Sequence, residues 1–282
     1  MTILFSCKTN EGHIIKILAE LLQNNIKNGC FVIDEKGIHL RMMDSNKRIL
    51  IDIDLLAENF SLYKFNKPLV QRVNENGTDK LYIGISNTHF HKMLKSIKKK
   101  DSVALFIDDE APTDLGIKII PKEKNRVTTS FIKIQNIQQI GIDFPSGYGK
   151  PVIVPSNEYQ KMTKDMSNIG NLITVESKNF IIKFGCNQGS VYSREVVFGE
   201  TDDDFNDDEK EMKEVKQEFE TEQLSRISKI AGLSVNMQIY QSDNMPLLFR
   251  SNIGSLGKIS IYVKSKKEID EDERANLSVD EE

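Results

Sequence analysis

The chain has 282 residues, of which 39% are hydrophobic and 28% are charged, and its formal net charge at pH 7 is −4. This composition is typical of a soluble globular protein and is too apolar for a chain that is disordered throughout. No apolar run reaches the ~20 residues that a membrane-spanning helix needs, and the first residues lack a secretory pattern. We therefore expect a protein of the cytosol or nucleus. Its three cysteines, Cys7, Cys30 and Cys186, fit neither a disulfide framework nor a zinc site.

The acidic residues are concentrated in two segments. Residues 200–222 hold 12 acidic and 3 basic side chains, and residues 268–282 hold 8 and 1. The remaining chain has 34 basic and 22 acidic residues, a net charge of +12. This basic body favours an anionic partner such as nucleic acid, although the charge of the whole chain is negative.

The N-terminal part predicts a helix that leads into antiparallel strands. From Gly12 to Asn28, apolar residues recur every three or four positions, which is typical of an amphipathic helix. From Gly29 to Leu55 they alternate on both sides of a tight turn at Lys36-Gly37, which indicates half-buried strands.

The same order then returns three times. A second helix is predicted over Asn87 to Lys99, followed by the strands Val103 to Ile107, Gly116 to Ile120 and Arg126 to Ile134. In residues 135–151 the apolar residues show no sustained periodicity, and glycine and proline are frequent. We interpret this segment as a connector. Beyond it, Ser156 is a plausible N-cap for a helix to Ile169, a hairpin covers Ile173 to Phe184, and a strand covers Ser190 to Phe198. A fourth helix is predicted over Thr221 to Ala231, with strands at Ser234 to Gln241, Leu247 to Ser251 and Ile259 to Lys264.

Several of these stretches resemble one known family, in the same order along the chain. They are IIKILAELL in the first helix, the Met43-Asp44-Ser45 turn after GIHLR, IQQIGI at 137–142, VPSNEYQKMTKDMSNIGN at 154–171, and MPLLFRSNIGSLGKISIYV at 245–263. Together they are similar to proliferating cell nuclear antigen (PCNA), the eukaryotic DNA sliding clamp. The chain departs from the family at Lys264-Ser265, where the family usually has Ala-Pro, and in the long end of the connector at 145–149.

The resemblance implies an α+β protein with two similar domains of the DNA-clamp fold. Each domain has antiparallel sheets and two helices, and an interdomain connector joins them. We expect an N-terminal clamp domain at 1–134, the connector at 135–151, and a C-terminal clamp domain at 152–267 that contains the acidic segment 200–222. Residues 268–282 are expected to be a disordered acidic tail.

A clamp needs positive charge toward the DNA, because Lys and Arg displace the counterions of phosphates without reading sequence. The predicted helices supply Lys16, Lys92, Lys95, Lys98, Lys99, Lys161, Lys164, Arg226 and Lys229. The alternative is that these side chains are only the solvated faces of amphipathic helices.

The resemblance also implies a hydrophobic groove for PCNA-interacting peptides, which place aliphatic and aromatic anchors in a pocket. Its predicted residues are Met43, Leu50, Ile140, Ile142, Pro246, Tyr262 and Val263. For Leu50 and Ile142, a purely structural role in the core is the alternative.

A third predicted site is the joint between subunits. By the resemblance, two strand segments pair head to tail across protomers, since bare edge strands invite pairing with another chain. The predicted interface residues are Thr129, Phe131, Lys133, Val191, Tyr192, Arg194 and Val196. Ordinary internal strands are the alternative.

No motif supports catalysis. Asp202 to Asp208 opens like a calcium loop, but Asp207 stands where glycine is required and Lys213 where the bidentate Glu should be. His89 and His91 do not share a helix face, and Asp52 with Asp54 lacks a third ligand. We therefore expect no enzyme activity, no metal and no cofactor.

The sequence thus predicts a DNA sliding clamp, a processivity factor that encircles duplex DNA as a homotrimer. Its expected partners are double-stranded DNA bound without sequence preference, a DNA polymerase, a clamp loader, and proteins with PCNA-interacting peptides; no membrane is expected. The expected location is the nucleus, or a viral replication compartment if the chain is virally encoded. One alternative is a subunit of a checkpoint-type heterotrimeric clamp, or a processivity factor that acts as a monomer or dimer. Another is an interaction scaffold that does not encircle DNA.

Overall fold

The computed structural model describes residues 2–73, 79–123, 126–137, 141–178, 180–189, 191–199 and 214–279. The chain forms two compact units. Unit 1 contains Met1–Ser45, Ile51–Ile142 and Asn252–Ile259, and unit 2 contains Asn46–Leu50, Asp143–Ser251 and Ser260–Glu282. Each unit combines antiparallel strands with helices, as the α+β prediction requires.

The N-terminal half begins with a strand and continues with helices and strands in the predicted alternation. Its elements are β1 (Ile3–Thr9), α1 (Gly12–Asn25), β2 (Asn28–Ile33), β3 (Gly37–Met43), β4 (Ile49–Leu56), β5 (Leu62–Phe65), α2 (Lys67–Val73), β6 (Leu81–Ser86), α3 (Asn87–Leu94), β7 (Ser102–Asp108), β8 (Asp114–Ile120) and β9 (Thr128–Lys133). One sheet of unit 1 has the order β5-β1-β7-β8-β9, and the strands β4-β3-β2-β6 lie side by side in a second.

The C-terminal half repeats the pattern. Its elements are β10 (Val152–Pro155), α4 (Ser156–Met166), β11 (Leu172–Lys178), β12 (Ile181–Gln188), β13 (Tyr192–Phe198), β14 (Val215–Glu220), α5 (Thr221–Arg226), a 3₁₀ helix (Ser228–Gly232), β15 (Asn236–Tyr240), β16 (Leu247–Ile253), β17 (Gly257–Val263) and α6 (Lys266–Val279). Unit 2 contains the sheet β13-β12-β11-β14, and β10-β15-β16-β17 are neighbours in a second sheet.

Both helices that were predicted for unit 1 end earlier than expected. α1 stops at Asn25, whose side-chain amide donates to the carbonyl of Leu21 at 2.8 Å, and Ile26 is already extended. α3 stops at Leu94 and not at Lys99, because the chain turns there to bury Ile97. The Lys16 ammonium donates to the carbonyls of Lys95 at 2.8 Å and Ile97 at 3.2 Å, which stabilises this helix end.

The helices of unit 2 also differ from the prediction at their ends. Ser156 is the first residue of α4 and not its N-cap, and its buried hydroxyl has no hydrogen-bond partner within the described ranges. The predicted helix Thr221 to Ala231 is split, because Ile227 has φ −88° and ψ −3° and a 3₁₀ helix follows. The split still buries Leu224, Ile227 and Ile230.

The expectation of a disordered acidic tail is wrong for its described residues, which belong to α6. Ser265 and Glu268 form a capping box: the Ser265 amide donates to the Glu268 carboxylate at 2.7 Å, and the Glu268 amide donates to the Ser265 hydroxyl at 3.3 Å. Ile269 is 2% exposed. A local cap and one buried anchor therefore hold a strongly charged helix on the surface of unit 2.

Candidate functional site

The predicted cationic side chains of unit 1 fall into two groups. Lys92 on α3 and Lys95 at its C-terminal end are exposed. Lys98 and Lys99 are exposed as well, but they lie beyond the helix in the turn that precedes β7, so their placement on the helix was wrong. Lys16 is half-buried, and its ammonium binds the backbone carbonyls at the end of α3.

A basic cleft of about 530 Å³ adjoins that turn. Besides Lys98 and Lys99 it is lined by Lys100, Lys122 and Arg126, which were not predicted from the sequence. The run of three lysines at 98–100 was the available signal. Lys122 and Arg126 lie between β8 and β9, and no spacing in the sequence indicates that they line the same cleft as the lysines at 98–100.

In unit 2, Lys161 and Lys164 lie on one face of α4 and are exposed, as their spacing predicts. Lys161 forms an ion pair with Glu158 at 2.8 Å on the same helix. Arg226 and Lys229 are half-buried, in the last turn of α5 and in the 3₁₀ helix. Lys92, Lys161 and Lys164 are thus the predicted cations that lie exposed on a helix.

The predicted groove residues differ in burial. Leu50 and Val263 are core residues of unit 2, so for Leu50 the structural alternative is the better description. In unit 1, Met43 and Ile142 are half-buried. Ile140 lies outside the described residues. In unit 2, Tyr262 belongs to a cluster of aromatic side chains, and the carbonyl of Pro246 accepts a hydrogen bond from the same cluster.

This aromatic cluster consists of Phe144, Tyr148, Tyr240 and Tyr262. Phe144 stacks on Tyr262 with ring centroids 5.6 Å apart, and Tyr148 lies 6.3 Å from Tyr262 and 6.1 Å from Tyr240. The Tyr148 hydroxyl donates to the carbonyl of Pro246 at 2.7 Å. The connector residues Phe144 and Tyr148 were not predicted, because the connector has no periodicity that would mark inward-facing positions.

The departure at Lys264-Ser265 has a structural role. Ser265 caps α6, and the Lys264 ammonium forms an ion pair with Asp272 at 2.6 Å. Arg48 binds both Glu220 at 2.9 Å and Glu273 of α6 at 3.0 Å. Of the two residues that replace the usual Ala-Pro, Ser265 therefore caps α6 and Lys264 stabilises it through an ion pair.

The predicted joint residues other than Val191 lie on strands at sheet edges. β9 is the last strand of its sheet in unit 1, and β13 is the first strand of its sheet in unit 2. Thr129, Phe131 and Lys133 share the exposed face of β9. Phe131 is 61% exposed and packs edge-on against Phe106 at 6.0 Å.

The predicted joint residues at β13 differ from one another in exposure. Val191 precedes the strand and is 87% exposed, Tyr192 is exposed, and Val196 is half-buried. Arg194 forms an ion pair with Asp165 of α4 at 2.6 Å. Val197, which is 55% exposed on the other face, was not selected. Both faces of β13 carry apolar residues. The alternation of apolar and polar residues in the sequence therefore does not indicate which face is exposed.

No group of three or more His, Cys, Asp or Glu side chains within the described ranges is arranged to hold a metal ion. In the same ranges, no helix has the length and apolar character that crossing a membrane requires. All three cysteines are buried and unpaired, and burial raises the pKa of the Cys7 thiol to about 12.

Comparison with known proteins explains this arrangement. The model of the PCNA N-terminal domain matches residues 4–141, and that of the PCNA C-terminal domain matches residues 144–267. The chain belongs to the PCNA family. It is a divergent DNA sliding clamp, and clamps of this family are not catalysts.

Relatives and solved structures agree with the assignment. The chain is 24% identical over 268 residues to the proliferating cell nuclear antigen of Chaetomium thermophilum, covering 93% of this chain and 98% of the relative. It is 23% identical over 269 residues to a probable DNA polymerase sliding clamp of Paramecium bursaria Chlorella virus 1, covering 93% and 96%. The crystal structure of the antigen from Entamoeba histolytica shares the fold, with a TM-score of 0.78 and 19% identity over 94% of this chain and all of that one.

Proposed function

We propose that three copies of this chain close head to tail into a ring around duplex DNA and hold a polymerase and other replication or repair proteins on it. The observation that carries the proposal is that β9 ends a sheet in unit 1, that β13 ends a sheet in unit 2, and that both strands carry exposed apolar side chains, Phe131 and Val197. An edge strand with unpaired backbone groups pairs readily with another chain. One such edge in each unit suits a head-to-tail contact, which forms a ring when its rotation closes.

Lysines on α3 and α4 support the DNA-binding part of the proposal. Lys92, Lys95, Lys161 and Lys164 are exposed, and an exposed ammonium group can neutralise a phosphate whatever the base sequence. Contacts of this kind are weak and depend on salt, because the binding energy comes from counterion release. In this proposal the ring supplies the persistence on DNA.

The partner-peptide groove stays a proposal as well. Pro246 and Tyr262 in unit 2 are its best supported members, because they take part in an aromatic cluster that could receive an apolar anchor. Proteins with PCNA-interacting peptides, a polymerase and a clamp loader are the proposed partners. The proposed site of action is the nucleus, or a viral replication compartment if the chain is virally encoded.

The native mass tests the assembly. Light scattering over a range of concentrations should give a species of three times the chain mass of 32.2 kDa, about 97 kDa. A monomer at all concentrations would overturn the homotrimer and favour a processivity factor that acts alone or with other subunits. A DNA test completes the experiment: the ring should stay on a closed circular plasmid and slide off once the plasmid is cut.

A further inference from the structure

Tyr262 is covered by side chains of its own chain. Phe144 lies on the Tyr262 ring, with 5.6 Å between the ring centroids and an angle of 24° between the planes. Tyr148 lies against the same ring at 6.3 Å and 49°. Tyr262 is 7% exposed. A partner's anchor could not stack on this ring while Phe144 is in place.

The two connector side chains are held differently. Tyr148 has a hydrogen bond to the Pro246 carbonyl at 2.7 Å and an edge-on contact with Tyr240. Burial, with smaller effects of Tyr262 and Glu268, raises the pKa of Tyr148 far above its usual value, so its hydroxyl stays a donor. Tyr148 therefore forms a fixed wall of the cluster.

Phe144, by contrast, covers Tyr262 with an apolar ring. It is half-buried, and residues 141–151 belong to no helix or strand. Its ring can therefore leave Tyr262 without breaking any strand pairing. Moving the ring away gives up the ring stacking and the apolar area that Phe144 buries.

We propose that Phe144 occupies the aromatic subsite of the partner groove, and that a partner peptide binds by replacing the Phe144 ring with an aromatic ring of its own. This inference rests on the proposed peptide groove. It also defines the partner: the anchor at this subsite must be aromatic, because an aliphatic side chain does not restore the stacking that Phe144 gives up. Removing Phe144 should strengthen peptide binding, since the peptide would no longer compete with it.

The experiment uses a tryptophan in place of Phe144. The chain has no tryptophan, so Phe144→Trp places a single fluorescent reporter at the subsite. The probe is a Trp-free synthetic peptide with a leucine and two phenylalanine anchors at i, i+3 and i+4. On titration, the emission should move to longer wavelengths as the indole is released into water, with the same midpoint that calorimetry gives for binding. Binding without a change in emission would show that the ring stays on Tyr262, and would overturn the proposal.

A second variant measures the competition. Phe144→Ala should bind the peptide about two- to tenfold more tightly than the unchanged chain, which corresponds to the stacking contribution of an aromatic pair. Asp143→Ala is the matched control, because it alters the exposed neighbouring residue and keeps the Phe144 ring; its affinity should be unchanged. Weaker binding by Phe144→Ala would show that the Phe144 side chain contributes to peptide binding. It would refute the proposal that the peptide replaces the Phe144 ring.

Failure of the groove itself would look different. If neither the unchanged chain nor Phe144→Ala bound the peptide while the native mass was still that of a trimer, the proposed groove would be wrong together with this inference. The clamp assembly would be unaffected by that result.

Discussion

Replacing Phe131 by alanine should weaken the ring much more than the fold. Phe131 is 61% exposed on the edge strand β9. Full burial of a phenylalanine side chain is worth about 1.5–3 kcal/mol, so burying this exposed part would contribute about 1–2 kcal/mol at each joint. Over the three joints of a trimeric ring the loss would be about 3–6 kcal/mol, or two to four powers of ten in the association constant.

The assay is light scattering on a dilution series of the folded variant. Because three chains combine, the concentration at which half of the chains are assembled varies inversely with the square root of the association constant. It should rise about 10- to 100-fold for Phe131→Ala. Tyr82→Ala is the matched control, since Tyr82 is a 47% exposed aromatic residue on β6, at the end of the strand order β4-β3-β2-β6. An unchanged midpoint for Phe131→Ala, with an unchanged circular dichroism spectrum, would refute the placement of the joint on β9.

The remaining predictions concern DNA retention, the C-terminal helix and acid stability. Changing Lys92, Lys95, Lys161 and Lys164 together to glutamine should shorten retention on circular DNA, and the slope of log affinity against log salt should fall by about 0.9 for each phosphate that the variant no longer neutralises. Ser265→Ala removes the hydroxyl that accepts from the Glu268 amide, so α6 should lose about 1 kcal/mol and exchange its amide hydrogens faster. Lys183, followed by Lys216, holds the pKa of Glu176 below its usual value of 4.5. Glu176→Gln should therefore destabilise the chain at pH 7, and the difference in unfolding free energy should disappear as the pH falls through the lowered pKa.

Each of these predictions has a control or a refuting result. Glutamines at the exposed strand residues Lys64 and Lys118 should leave retention unchanged, and an equal reduction would mean that only total charge matters. Hydrogen exchange in α6 that does not respond to Ser265→Ala would show that the helix does not depend on its cap. For Glu176→Gln, a difference from the unchanged chain that is as large at pH 3 as at pH 7 would exclude the ion pairs as its cause.

Sequence periodicity was a good guide where one face of an element is buried. The strands β2 and β3, the core of α1 and both edge strands follow directly from alternating or helical spacing. β1 was missed because its burial is nearly continuous from Leu4 to Cys7, which removes the period-two signal. Helix ends were predicted poorly, since they depend on contacts such as that of Lys16 with the end of α3.

The sites could be predicted only in part for the same reason. Lys92 and Lys161 were selected correctly as exposed because the opposite faces of their helices are apolar. Lys16 follows the same pattern but is bound to backbone carbonyls. The aromatic side chains of the connector were not identified, since their positions depend on tertiary contacts with Tyr240 and Tyr262.

The two open edges also bear on the order of assembly. A head-to-tail dimer would still have one free β9 and one free β13, so it would be as ready to pair as the monomer. Adding the third chain brings the last two edges together within one complex, where their effective concentration is far above that of free chains. The final joint would then form almost at once, and partly assembled species would be scarce at equilibrium. Opening the ring would accordingly require breaking only one joint, while the other two hold the chains together. The opened ring would have a single gap through which DNA could pass.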